Sequence, residues 1–299
     1  MNHTSIALRA WRSAITLNNA GVSLLASQGE SGNLPQAKSL FREALNVVKV
    51  SCRYVEQKQQ EQRQEVPQDA DSFALQANAI IERAEATIGS LVHISNGGGQ
   101  HPQQEGGAAP NHFQVLRSSS GPHEEEFHEE PLNALTMMRN RAQLVQIDPS
   151  TNMMEERFVP KTLMEQELEL HSGFILFNFG MLCIHEVELY HSNGVPLNHP
   201  SLVTLQFRAL SLFNSAHALF SKRAARQPES GILSPLSFCD DVAYIHTITL
   251  DKLAMLSNAT GNFEDSIKAA ACAEQMMARL QFIHAMLTSS TIAAAAPAA

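Results

Sequence analysis

The chain has 299 residues, of which 44% are apolar and 17% charged, and its net charge at pH 7 is −9. That apolar content is enough for a packed core and excludes wholesale disorder. The acidic balance argues against a nucleic-acid partner, which requires clustered cations to displace counterions from phosphates. The nearest approach to such a cluster in the linear sequence, Lys222-Arg223-Ala224-Ala225-Arg226, falls where a helix is expected to end. Cations there complement the carbonyl end of the helix dipole.

Taken from the amino terminus, Ser5 to Ala26 has helical periodicity, with Leu8, Trp11, Ile15, Val22 and Leu25 near one face. Its first residues lack the unbroken apolar run of a secretory signal. Gln28 to Asn33 breaks the pattern with two glycines, and Pro35 suits the first turn of a second helix, where its missing N–H costs nothing. The second helix runs through Ala37, Phe41, Ala44 and Cys52 into a solvated Gln/Glu-rich extension. After Val66-Pro67, a third helix carries Phe73, Ala77, Ile81, Ala84 and Ile88 at three- and four-residue steps.

Residues 96–131 differ in composition. Two glycine runs, several prolines and the acidic Glu124-Glu125-Glu126 leave little apolar surface to offset ordering entropy, so a linker or loop is expected. Residues 132–149 fit either a short helix or an extended crossing. Helical periodicity returns from Leu163 to Tyr190, and Asn193-Gly194-Val195-Pro196 turns the chain into a helix over Ser201–Ala225. A final pair is expected over Asp240–Ala259 and Phe263–Leu287, followed by an Ala-rich tail. The domain reading is therefore a helical region over 1–95, a linker over 96–131, a second helical region over 132–290 and a disordered tail over 291–299. The most apolar stretch, Gly173–Ile184, is too short to cross a bilayer.

Catalytic and metal signatures are weak. Cys52, Cys183, Cys239 and Cys272 include no C-x-x-C pair, which leaves reduced thiols in a cytoplasmic, or nuclear, protein as the expectation. His101, His112, His123 and His128 are widely spaced in the expected linker. Glu188 and His191 have the Glu-x-x-His spacing of di-iron bundles, but no second convincing pair lies inside an expected helix. Asp240-Asp241 reads as a helix cap rather than a magnesium site. No nucleophile elbow or phosphate-binding glycine loop is present.

Three segments share an order of small, aromatic and small residues. The last contains Ala254, the turn Gly261-Asn262-Phe263-Glu264-Asp265-Ser266, and Ala273. The first contains Asn19-Ala20-Gly21, then Ala37, Phe41 and Ala44; the middle one contains Asn178-Phe179-Gly180, then Ala209, Phe213 and Ala216. These units resemble the tetratricopeptide repeat, although Ala270 stands where that family usually has an aromatic and the connections are longer than its usual unit. The resemblance implies an all-α fold of antiparallel helical hairpins stacked with long insertions. It also implies a concave groove for a peptide or helical partner, lined by Asn18, Val22, Asn178, Met181, Asp251 and Met255, although Phe177 and Met181 read more readily as core. Asn178 and Lys252 match the family's carboxylate-gripping set, but Val22 and Ile248 do not.

The expectation is a non-catalytic interaction scaffold with a protein or peptide partner, no cofactor and no metal, nucleic-acid or membrane partner. The alternative is a helical-bundle enzyme or metal or ligand carrier with a site near His171, His185 and His191.

Overall fold

The computed structural model describes residues 3–26, 33–62, 70–95, 113–117, 143–147, 161–226 and 237–294. Within them the chain is all-α in class, with seven helices and one small ribbon. The helices are α1 (His3–Ala26), α2 (Leu34–Gln62), α3 (Ala70–Ser95), α4 (Lys161–Ser192), α5 (Pro200–Arg226), α6 (Ser237–Ala259) and α7 (Phe263–Ala294). The ribbon pairs β1 (Phe113–Arg117) with β2 (Gln143–Ile147) antiparallel, Val115 opposite Val145. Part of the segment expected to be a linker is therefore a strand, and the ambiguous 132–149 region contains an extended crossing. The remainder of both segments, including His101, His112, His123 and His128, and the tail beyond Ala294 lie outside the described residues.

Helices pair in chain order, α1 with α2, α4 with α5 and α6 with α7, while α3 lies on the first pair. Two of the turns are fully visible. Gly194 (φ 84°) and Gly261 (φ 83°) adopt left-handed backbone after α4 and α6, a conformation that side-chain-bearing residues avoid. At the second turn Asn262 caps α7, its Oδ1 accepting from the Asp265 N–H at 3.4 Å. Helix α6 begins at Ser237, so Asp240 and Asp241 are its fourth and fifth residues rather than lying before it.

Small residues let the paired helices approach. A Cβ built on Gly21 would lie 3.0 Å from the Phe41 ring, and one on Gly180 would lie 2.8 Å from the Phe213 ring. Gly173, which the repeat pattern did not single out, is tighter still, at 2.5 Å from Phe220. Ala37, Ala44, Ala209 and Ala216 are fully buried, and Ala273 is nearly so. In the last pair, Ser266 Oγ donates to the carbonyl of Ala254 at 2.8 Å, joining α7 to α6.

One continuous apolar core runs from Ile6 on α1 to Ala273 on α7, so the two helical regions flanking the expected linker share it. Polar ties also join the helices, both across the expected linker and within each region. Lys38 on α2 pairs with Glu186 on α4 at 2.7 Å, largely shielded from water, and Arg9 on α1 holds Glu85 on α3 through two hydrogen bonds. Arg223 and Lys222 on α5 engage Glu167 and Glu169 on α4. Helix α4 lies at the centre, packed on α1, α2, α5 and β2. Over Gln166–Ser192 it is long and apolar enough to cross a membrane by length and composition, and 78% of that window is buried inside the protein.

These contacts set opposite outcomes for two glycines. Gly180→Ala forces the Phe213 ring to move and is expected to destabilise by about 1–3 kcal/mol, less the propensity gain. Gly89, exposed on α3 with nothing within 4 Å of a built Cβ, is expected to gain about 0.5–1 kcal/mol as Gly89→Ala. Urea denaturation of both variants measures the contrast.

Candidate functional site

Two apolar helices carry asparagines on their buried faces. Asn18 and Asn19 belong to α1, Asn178 belongs to α4 between Phe177 and Phe179, and Asn18 and Asn178 are completely buried. A buried amide must find partners or cost roughly 1–3 kcal/mol for each group left unmade. Here the partners are the backbone of β2. Asn178 Oδ1 accepts from the Val145 N–H at 2.8 Å, and Asn178 Nδ2 donates to the Val145 carbonyl at 2.7 Å. Asn18 Nδ2 donates to the same carbonyl at 3.2 Å, and Asn18 Oδ1 accepts from Asn178 Nδ2 at 2.9 Å. Asn19 repeats the two-way contact one pleat on: its Oδ1 accepts from the Ile147 N–H at 2.8 Å, and its Nδ2 donates to the Ile147 carbonyl.

The asparagines thus stand where a neighbouring strand would be. Val145 and Ile147 turn their N–H and C=O groups to the helices, so the alternate residues of β2 face β1 across the ribbon. The Val145 and Ile147 side chains are themselves fully buried. The resulting site is a cleft between α1 and α4 that grips extended backbone by hydrogen bonds and alternate side chains by burial.

The six expected groove residues are distributed unevenly. Asn18 and Asn178 meet on β2. Val22 and Met181 are buried, as is Phe177. Asp251 is half-buried and Met255 exposed, both on α6, with Lys252 half-buried beside them. Asn19 belongs to the repeat pattern but not to the expected groove. Its adjacency to Asn18 in an otherwise apolar helix was the available signal, as was the Val-Gln-Ile alternation before Asp148-Pro149.

The three histidines of the alternative reading are not brought together. His171 is buried against Trp11, whose Nε1 donates to its Nδ1 at 3.1 Å. His185 is exposed at 4.0 Å from Glu188, and His191 is exposed beside the Val195 carbonyl at 3.3 Å. Among the described residues no group of three or more His, Cys, Asp or Glu could hold a metal ion. Burial pushes the Cys183 thiol up to about 11, which leaves it protonated and unreactive at neutral pH. Cys272, by contrast, is exposed.

A second polar cluster, which sequence reading did not single out, joins α5 to α6. His217 Nδ1 lies 2.8 Å from His246 Nε2, with Ser221 Oγ within 3.5 Å of both. Such a contact requires one ring nitrogen to donate and the other, unprotonated, to accept, so the two rings cannot both be charged. Burial, reinforced by His217, pushes His246 down to about 4, and burial alone lowers His217.

Two outcomes follow from these arrangements. Asn178→Ala leaves the Val145 N–H without its partner and its carbonyl with Asn18 alone, and is expected to cost on the order of 3 kcal/mol, with faster hydrogen exchange at Val145 than elsewhere in the core. For the histidine pair, the unfolded chain binds protons more readily than the folded one. Its contribution is full above about pH 6.5 and falls by roughly 3 kcal/mol as the pH drops toward 4. Urea midpoints across this range, compared with His246→Gln, isolate that loss.

Comparison of the chain with protein-family models, curated proteins and solved structures returned no significant match.

Proposed function

We propose that this chain is a non-catalytic protein–protein interaction scaffold, a degenerate relative of the tetratricopeptide repeats, with a groove between α1 and α4 that holds extended polypeptide. Small residues facing aromatics at Gly21–Phe41 and Gly180–Phe213 support the repeat reading, since they recur at corresponding places in two helical pairs. The Gly261 turn and the Ser266–Ala254 contact support it in the third.

The observation that carries the functional reading is the clamp of Asn18, Asn19 and Asn178 on the backbone of Val145 and Ile147. Hydrogen bonds to main chain give affinity without demanding a particular sequence, while pockets for alternate side chains set preference. The groove therefore suits an extended partner with β-branched apolar residues two apart. Strand β2 fills this role within the chain, and its tethering gives it a high effective concentration over any partner in solution.

A vacated groove provides the test. The double variant Val145→Asp, Ile147→Asp is expected to expel β2, since two buried carboxylates without partners are costly. A fluorescent peptide spanning residues 141–149 is then expected to bind the variant about tenfold or more tightly than it binds the wild type. Adding Asn178→Ala to the variant is expected to abolish that gain. Equal binding to all three proteins, with helical circular dichroism retained, would sink the proposal.

A further inference from the structure

On the far side of the first helical pair, α2 and α3 enclose a groove of about 310 Å³. Its walls bring together Arg42, Lys49 and Arg53 from α2 and Arg83 from α3, over a floor that includes Val50, Ala77 and Ile80. On α2 the three cations lie seven and four residues apart, which places them along one side of the helix over roughly 17 Å. Glu43 is the acid in the lining, and it is already engaged by Arg83 at 3.6 Å and by the Thr87 hydroxyl at 3.1 Å. Among the described residues, no acidic side chain forms an ion pair with Arg42, Lys49 or Arg53.

This concentration of positive charge occurs on a chain with a net charge of −9. Solvated cations scattered among acids would need no explanation. Cations gathered around one concave, apolar-floored groove create a local positive potential, and the low-dielectric walls focus it. A compact anion such as phosphate would meet one or two of these groups. A ligand that engages the whole row must be extended, carry several negative charges and present apolar groups between them.

We infer that the α2/α3 groove is a second docking surface, and that its occupant is an acidic peptide segment with apolar residues interspersed among its carboxylates. Arg42, Lys49 and Arg53 meet the carboxylates, Arg83 closes the opposite wall, and Val50, Ala77 and Ile80 receive the apolar side chains. The site is separate from the asparagine clamp and uses none of its residues, so either can fail while the other stands.

The test uses the full chain and a short labelled peptide alternating glutamate with leucine, followed by fluorescence anisotropy at low salt. Saturable binding is expected, weakening with added salt as electrostatic contacts are screened. The exposed charge reversals Lys49→Glu and Arg53→Glu are each expected to weaken binding by about tenfold, with circular dichroism unchanged. A conservative Lys49→Arg is expected to retain it. Three results would overturn the inference: equal affinity for a peptide alternating lysine with leucine, unchanged affinity in both reversal variants, or tighter binding of a short DNA duplex than of the acidic peptide.

Discussion

Close approach between paired helices is the constraint on which the rest of this structure depends. Where α1 meets α2 and α4 meets α5, a glycine gives up its side chain so that a phenylalanine ring can lie against bare helix backbone. Aromatic rings bring large buried area in few rotatable bonds, so each such contact removes much apolar surface from water at modest entropic cost. Phe41, Phe213 and Phe220 are all essentially fully buried. Two of the three rings, both on α5, fall on glycines of α4, so those two helices pack closely while α1, α2 and β2 cover other parts of α4. Its length and hydropathy, which would otherwise suit a bilayer, serve an interior position instead.

A helical core of this kind has no natural place for a strand. Helices satisfy their own backbone groups, whereas a strand carries unmet donors and acceptors along both edges. The chain resolves this by pairing one edge of β2 with β1 and the other with side-chain amides. Asparagine suits the task because its amide offers a donor and an acceptor in nearly the geometry of a peptide group. Asn178 and Asn19 each contact both the N–H and the carbonyl of a single residue. Burying polar side chains on α1 and α4 is tolerable only while those bonds are made, so the helices and the extended segment specify one another.

Charge is distributed with a comparable division. Ion pairs such as Lys38–Glu186 and Arg223–Glu167 are shielded and join neighbouring helices, which fixes their relative placement more than it adds stability. Among the described residues Arg42, Lys49 and Arg53 of the α2/α3 groove have no such internal role, whereas Arg83 also ties α3 to α2 through Glu43. The asparagine cleft thus deals in backbone hydrogen bonds and the basic groove in charge, and the two occupy different faces of the first helical pair.

The sequence by itself determined the helices, since their evidence is local. Three- and four-residue apolar spacing located all seven, and Pro35, Gly194 and Gly261 marked starts and turns through backbone preferences that need no distant partner. It also singled out Gly21 and Gly180 as small repeat positions, though not Gly173, which lies outside the repeated pattern, and the rings that face them came from the structure. The strand, the clamp and the basic groove were decided only by tertiary structure. Asn18 meets Val145 across 127 positions, and Arg83 joins Arg42, Lys49 and Arg53 only because α3 folds back along α2. The alternation of Val145, Gln146 and Ile147 permits a strand, but nothing local shows that its outer edge is completed by side chains from two helices. Its conformation is fixed by hydrogen bonds to groups that the chain brings near only once the helices have packed.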